Sequence, residues 1–420
     1  MKPALQRVVV TGMGVVSAIG NTLDDFWRNL SEGQSGIRLV SRSGEEWMAS
    51  PEQPAQFLAA QVDLPVQNDL PDLLAPHYLD DFSRFALHAA QQALQQAGIV
   101  AHSAYAQQIG VLLGTAAGGD ASHNHASFRA YVKQRPPPPQ VILRAMCNAA
   151  TSSVTMAYGL HGPSLSIASA CASGTHAIGQ AYQMIAYGMH DAILAGGSEQ
   201  IPALGQYNAW KQLRVLSNDG CRPFCASRNG MLLGEGAGVL MLESLPAAQA
   251  RGAPILGEIC GFAMNAGGRD WLRPDVAGMA NCIQLALQQA GCDAEELAFV
   301  NAHGTGTVLN DAAEAQALQQ VFGKQIAQIP VSSSKGAHGH ALGASGALEC
   351  IAALLSLAQG QIVPNGKQHQ AAADCALDIV YGAARPHSGQ FALSNSFAFG
   401  GLHAVLALKH YHSSSQPAQN

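Results

Sequence analysis

Ser166-Ile167-Ala168-Ser169-Ala170-Cys171-Ala172-Ser173-Gly174 is the stretch on which the reading of this chain turns. An apolar, strand-like run ends there and a helix-like run follows. The Cys171 thiol is therefore expected at a strand-to-helix turn, beside the first amides of a helix. Those amides have no intrahelical acceptor and carry partial positive charge. Near them a thiol is expected to ionise below its usual value of about 8.5 and to become a better nucleophile. That points to acyl transfer, if partners occur elsewhere in the chain.

Outward from Cys171, β-like and helix-like segments alternate, which predicts α/β layers. Val8 to Val10, Ile109 to Leu113, Ala192 to Ala195, Phe299 to Ala302, Ile329 to Val331, Phe391 to Leu393 and Ala404 to Leu408 read as strands. The glycines from Gly12 read as a turn closing the first strand. Phe85 to Ala97, Met279 to Ala290 and about Ala347 to Ala358 carry apolar residues at helical spacing. Strand, small polar turn, Cys171 and helix resembles strand, Ser332-Ser333-Ser334-Lys335, glycine-rich turn and helix, which suggests a duplicated unit. No Pro/Gly/Ser linker separates the halves, so they are expected to pack as one body. Residues 120–145, with Arg129, Lys133, Arg135 and Pro136 to Pro139, read as a stiff surface excursion; a lid beside the substrate entrance is the sharper alternative. The polar tail from His412 to Asn420 is expected to be disordered.

Only 12% of the 420 residues are charged, against about 25% in an average protein. Much surface is therefore expected in a large core or a subunit interface. The formal charge of −6 gives no support for nucleic-acid binding. No run of 18 apolar residues suggests a membrane span, and residues 1–16 make a poor signal peptide. Nine cysteines, without a CxxC pair or zinc-ligand spacing, fit reduced thiols and a cytoplasmic protein.

Three further motifs carry chemistry. Val300-Asn301-Ala302-His303-Gly304-Thr305-Gly306-Thr307 delivers a histidine from a strand onto a loop of glycines and threonines. Ser334-Lys335-Gly336-Ala337-His338-Gly339-His340 sets a lysine and two histidines before a helix containing Glu349. Asn395-Ser396-Phe397-Ala398-Phe399-Gly400-Gly401 ends the series. Singly, these read as a core-edge histidine, a flexible loop and a hairpin or bulge.

Together they are specific. From about Arg7 to Lys409 the chain resembles the β-ketoacyl acyl-carrier-protein synthases, most closely the elongating type II branch. The resemblance implies a thiolase-type fold: two pseudo-symmetric halves, residues 1–256 and 257–411, in a five-layered α-β-α-β-α body. It also implies a decarboxylative Claisen condensation of malonyl-carrier protein with an acyl chain, in fatty acid or in specialised polyketide or aryl polyene synthesis. Cys171 matches the acyl-carrying nucleophile, and His303 and His340 the pair that promotes decarboxylation. Lys335 matches the lysine that holds the histidine network, with Glu349 as its carboxylate. Phe399 matches a gate whose amide, with that of Cys171, forms an oxyanion hole. Thr305 and Thr307 match positions that bond the pantetheine arm. Arg214 matches a basic residue at the entrance, and Lys211 and the Arg129/Lys133/Arg135 set could extend that patch. Asn301, Glu349, Ser394 and Asn395 match a structural cation site in some relatives. No cofactor of its own is implied. The implied partners are an acyl carrier protein and either a second copy or a chain-length-factor-like subunit.

Several positions depart from the housekeeping pattern: Ala398 for glycine, Leu402-His403 for threonine-asparagine, Cys225 for aspartate, Asp270-Trp271-Leu272-Arg273 for His-Met-Thr-Ser, and Ala117 for a bulkier aliphatic residue at the acyl pocket. They gather around the pocket and the substrate arm, which suggests an unusual acyl chain. A degradative thiolase is disfavoured because no cysteine follows Cys375. A non-catalytic chain-length factor is disfavoured because Cys171, His303 and His340 are all present. A nicotinamide site at Gly12-Met13-Gly14 lacks its third glycine, replaced by Ser17.

Overall fold

The structure, a computed structural model, describes residues 5–44, 47, 52–64, 74–268, 270–367 and 370–411. The tail expected to be disordered, from His412, lies outside these. Ten strands carry the architecture: β1 (Val8–Ser17), β2 (Gly110–Gly114), β3 (Ser164–Ile167), β4 (Ala192–Glu199), β5 (Gly236–Ser244), β6 (Gly257–Ala266), β7 (Leu297–Asn301), β8 (Pro330–Ser332), β9 (Phe391–Ala398) and β10 (Leu402–Lys409). Outward from the middle, the first five lie in the order β1-β5-β4-β2-β3 and the second five in the order β6-β10-β9-β7-β8. Adding five to each label of the first set gives the second. Pair orientations repeat too: β2 is parallel to β3 and β4, as β7 is to β8 and β9. The suspected duplication is therefore visible in topology.

β1 and β6 join the two sets through three antiparallel pairs, Val8 with Ile259, Val9 with Glu258 and Val10 with Gly257. Strand periodicity then distributes side chains between layers. In β5, Leu240 and Leu242 enter a central cluster while Val239 and Met241 enter an outer one. In β10, Ala404, Leu406 and Leu408 face the centre while Val405 and Ala407 face the opposite outer layer. The centre holds α3 (Ser173–Ala186) and α7 (Ser345–Gln359), each following the matching strand of its half. One outer layer is built on α1 (Asp81–Gln96) and α2 (Ala149–Tyr158), the other on α5 (Val276–Ala290) and α6 (Val308–Phe322). This is the five-layered thiolase-type arrangement.

The first strand does not turn at its glycines: β1 continues to Ser17. The reason is packing against α1. A Cβ on Gly12 would stand 2.0 Å from the Ala93 carbonyl oxygen, and one on Gly14 would stand 1.9 Å from that of Ala89. Those glycines therefore admit a helix backbone rather than a dinucleotide. β9 likewise runs through Ala398, so only Phe399 to Gly401 form the hairpin turn. The 120–145 excursion is largely helical, over Asp120–Ser127, Phe128–Val132 and Val141–Ala145. Buried Asp120 pins its start to α4 (Leu204–Gln212), accepting the Ala203 amide at 2.8 Å. Residues Leu342–Gln359 are long and apolar enough to cross a membrane, yet most of that stretch is buried in the central layer.

Candidate active site

Cys171 sits at the end of β3, ahead of α3, as its sequence context predicts. The turn is tight. Ala170 adopts a left-handed φ of 51°, a conformation that costs a non-glycine residue about 1 kcal/mol or more. Ser173 holds it by donating its hydroxyl to the Ala170 carbonyl at 2.6 Å and accepting the Ser169 amide at 2.9 Å. Cys171 is buried, 6% exposed as a residue. The expected depression of its pKa is not what the structure gives. Burial pushes the thiol up to about 11, against the pull of Lys335 and of the Phe399 and Cys171 amides. Desolvation of a thiolate outweighs the helix end. Both backbone N–H groups named for the oxyanion hole nevertheless lie against the sulfur.

His303 leaves the end of β7 on a loop organised by two carboxylates of α6. Glu314 accepts the His303 and Gly304 amides, each at 2.8 Å, and the Asn395 side-chain amide at 3.1 Å. Asp311 accepts the amides of Thr305 at 3.1 Å, Gly306 at 3.2 Å and Phe224 at 2.7 Å. Both are buried, and burial raises Glu314 to about 7 and Asp311 to about 6. The sequence reading missed both. Their signal is a spacing of three residues just after the glycine-threonine loop, which puts both carboxylates on one helix face.

Lys335 is fully buried and ion-paired with Glu349 on α7. Its ammonium donates to the His303 carbonyl at 2.6 Å and meets His303 Nδ1 at 3.3 Å. An ammonium only donates, so Nδ1 accepts and Nε2 carries the ring proton. Burial and the Lys335 charge hold His303 well below the ordinary histidine pKa. A neutral donor results. His340 lies with its ring 5.4 Å from that of His303, at 83°, and is lowered by the same causes. Its Nδ1 meets Ser345 Oγ at 2.8 Å, which leaves Nε2 as the ring nitrogen available to substrate. His338 belongs elsewhere: it bonds Ser334 and the Gly339 carbonyl, and stacks on Phe26.

Two cavities meet at Cys171. One, about 280 Å3, is lined by Cys171, His303, His340, Thr305, Thr307 and Phe399, and on its outer side by exposed Arg214 and Trp271. The other is lined by Cys171, Phe399, Ala116, Ala117, Gln206 and Trp210. Phe399 thus separates them, stacked on Trp210 with ring centroids 5.9 Å apart. Glu199 fixes the floor of the second cavity by accepting the Ala116 amide at 2.5 Å and the Gly343 amide at 3.2 Å. All ten sequence-predicted site residues therefore lie at the two cavities or directly behind the histidines. Arg129, Lys133 and Arg135 do not: none of them lines either cavity, and Lys133 lies over the Phe128 ring. Cys375 is buried in the outer core, away from both cavities, as the case against a thiolase requires.

The residues matched to a cation site each hold a buried atom without a hydrogen-bond partner: Glu349 Oε2, Ser394 Oγ, Asn395 Oδ1 and Asn301 Nδ2. Three are oxygens suited to a hard cation. The fourth is a nitrogen donor and is not a ligand as placed.

This arrangement can be compared with known proteins. The β-ketoacyl synthase N-terminal domain profile matches residues 5–248 and the C-terminal domain profile residues 256–369. The chain belongs to the β-ketoacyl synthase family. It is 36% identical over 406 residues to nodulation protein E of Rhizobium sp. (strain N33), covering 96% of this chain and 99% of that protein. It is also 36% identical to 3-oxoacyl acyl-carrier-protein synthase 2 of Synechocystis sp., covering 97% of this chain and 98% of that one. Among solved structures, the ishigamide ketosynthase/chain length factor superposes with a TM-score of 0.89 at 30% identity, covering 97% of this chain and all of that one. This β-ketoacyl synthase is thus a condensing enzyme of the acyltransferase class.

Proposed function

We propose that this synthase joins a malonyl unit, delivered by an acyl carrier protein, to an acyl chain held on Cys171, releasing CO2 and β-ketoacyl-carrier protein. The observation that carries the reading is the shared cavity of Cys171, His303 and His340, backed by the buried Lys335–Glu349 pair. In the first half-reaction the Cys171 sulfur attacks a carrier-bound thioester. A new C–S bond forms and the carrier leaves as its thiol, taking the proton that Cys171 gives up. The raised thiol pKa requires that proton to move during attack, and neutral His340 is the base within the cavity. The tetrahedral oxyanion lies on the amides of Phe399 and Cys171, donors fixed before charge develops.

In the second half-reaction malonyl thioester loses CO2. The electron pair of the broken C–C bond forms an enolate, whose oxygen accepts from His303 Nε2–H and from His340 in its Nε2–H tautomer, with the Ser345 hydroxyl then donating to Nδ1. No strong base is needed, only donors at that oxygen. The enolate carbon attacks the acyl carbonyl, the acyl C–S bond breaks, and Cys171 leaves as a thiolate that takes a proton from water. The acyl chain occupies the second cavity, whose alanines leave room beside Trp210, and the pantetheine arm occupies the first beside Thr305 and Thr307. Arg214, which lines the first cavity, and Lys211 three residues before it are both exposed and suit an acidic carrier. The boundary near residue 256 falls between the two repeated strand sets.

A second reading concerns assembly. The likeness to a ketosynthase/chain length factor structure supports this chain as the catalytic half of a heterodimer in specialised polyketide synthesis, with a homodimer as the other arrangement. Intact-mass analysis after incubation with carrier proteins bearing different acyl groups tests both chemistry and chain. A covalent acyl adduct lost in Cys171→Ala is expected, with preference for a chain other than saturated medium or long fatty acyl. Labelling that persists in Cys171→Ala would sink the mechanism.

A further inference from the structure

His403 lines the same cavity as Cys171, His303 and His340, and the condensation above gives it no task. It stands opposite Phe397 in the β9–β10 hairpin and is 1% exposed. Its ring meets Phe397 edge-on at 5.4 Å, and Phe397 meets His303 edge-on at 6.3 Å. A polar group in that position needs a partner or a purpose.

The hydrogen-bond order around it is fixed from outside. Asn265 donates its Nδ2 to the Gly278 carbonyl at 2.9 Å. A carbonyl only accepts, so the Asn265 amide presents its oxygen to His403, where Oδ1 lies 2.8 Å from Nδ1. Oδ1 in turn only accepts, which places the ring proton of His403 on Nδ1. Burial lowers the pKa of the ring, so it stays neutral. Nε2 is left as a bare lone pair, and no described residue hydrogen-bonds it. Gly278 packs against the tethered edge: a Cβ there would stand 2.8 Å from His403 Cε1. The ring is therefore held in one tautomer and one orientation.

We propose that His403 is a substrate-binding residue whose Nε2 accepts a hydrogen bond from an amide N–H of the pantetheine arm. This inference rests on the ketosynthase reading above. The chemistry selects the donor. A neutral lone pair repels the malonyl carboxylate and the enolate oxygen, both acceptors. The acyl chain turns into the second cavity and brings no N–H. The arm, running past Thr305 and Thr307 in this cavity, carries amide N–H groups. The tautomer is opposite to that of His303: one histidine donates to developing charge and the other accepts from the arm.

Steady-state condensation with malonyl-pantetheine thioester, rather than the carrier protein, isolates the contact from protein docking. His403→Phe keeps a ring and removes the acceptor, and should raise KM about tenfold, the worth of one hydrogen bond of ~1–1.5 kcal/mol. The loss falls in KM rather than in kcat. His403→Gln restores an acceptor oxygen and should recover most of it. Asn265→Leu, outside the cavity lining, frees the tautomer and should raise KM by a smaller factor; it carries the test if His403→Phe does not fold. Acylation of Cys171 by mass and the thermal transition verify folding of each variant. Wild-type KM in His403→Phe, or His403→Gln no better than His403→Phe, overturns the assignment. A wild-type enzyme that never condenses malonyl-pantetheine overturns the ketosynthase reading with it.

Discussion

Lys335 concentrates the energetic risk of this site in one side chain. A fully buried ammonium is tolerable only beside Glu349, and that carboxylate is itself raised to about 7 by burial despite the lysine. Deleting one partner of such a pair strands the other and costs roughly 3–5 kcal/mol. Lys335→Met should therefore lower the denaturation midpoint, and adding Glu349→Leu should restore much of the loss. Catalysis should not return with stability. Without the ammonium, His303 Nδ1 loses the donor that fixes its tautomer, and CO2 release from malonyl thioester should fall about a hundredfold, as for loss of one preorganised donor. The same variant removes the positive charge that draws the Cys171 thiol down. Its alkylation by iodoacetamide should accordingly move to higher pH than in the wild type. A double variant that regains full decarboxylation would show that Lys335 serves stability alone.

Elements place these residues, and Glu199 shows how. It ends β4 and ties the Ala116–Ala117 segment after β2 to Gly343 ahead of α7. Burial raises its pKa from 4.5 to about 7. The folded state therefore holds this proton more tightly than the unfolded state, so the contribution of Glu199 to stability falls as pH rises from about 4.5 to about 7. Replacement by Gln, which does not titrate, removes that slope. Urea midpoints of Glu199→Gln relative to wild type should climb across this window, and parallel pH curves would refute the assignment. Glu349 on α7, with Ser394 and Asn395 within β9, raises a related test. Because Lys335 already balances Glu349, the three unpartnered oxygens suit a monovalent cation. Potassium or sodium should raise the melting temperature above that in tetramethylammonium at equal ionic strength, and equal values would exclude the site. How far the elements could be read in advance follows from their physics. The Cys171 turn, the His303 loop and α7 were legible because strand and helix periods change at those residues. The continuation of β1 through Gly12 and Gly14 was not, since a glycine that ends a strand and one that admits a helix look alike in one dimension. The thiol's raised pKa was illegible for a different reason: its burial is set by the central layer, whose residues come from both halves of the chain. Glu314 and Asp311 act on backbone amides, which no side-chain motif records.

At the scale of the whole molecule the sheet has an unfinished edge. β3 pairs with β2 on one side only, and it ends the sheet order. Leu165 within it is 57% exposed. Met146, Met156, Ile142 and Leu143, on the neighbouring helices and turns, are exposed as well. An edge strand with free N–H and C=O groups beside exposed apolar side chains is a template for another strand. The low charged fraction of the sequence is consistent with such a face being covered. Because β3 leads directly to Cys171, pairing across this edge would brace the turn that holds the nucleophile at its strained Ala170. Leu165→Lys places a charge in the middle of that edge while leaving the β2–β3 ladder intact. Light scattering on the purified chain should show the wild type as a dimer and the variant shifted towards monomer with concentration-dependent activity. If the wild type is monomeric alone but dimeric when co-expressed with a homologous subunit lacking the cysteine, the edge serves a heterodimer. If Leu165→Lys keeps the wild-type mass and activity at every concentration, the edge is not an interface and the exposed leucine needs another account.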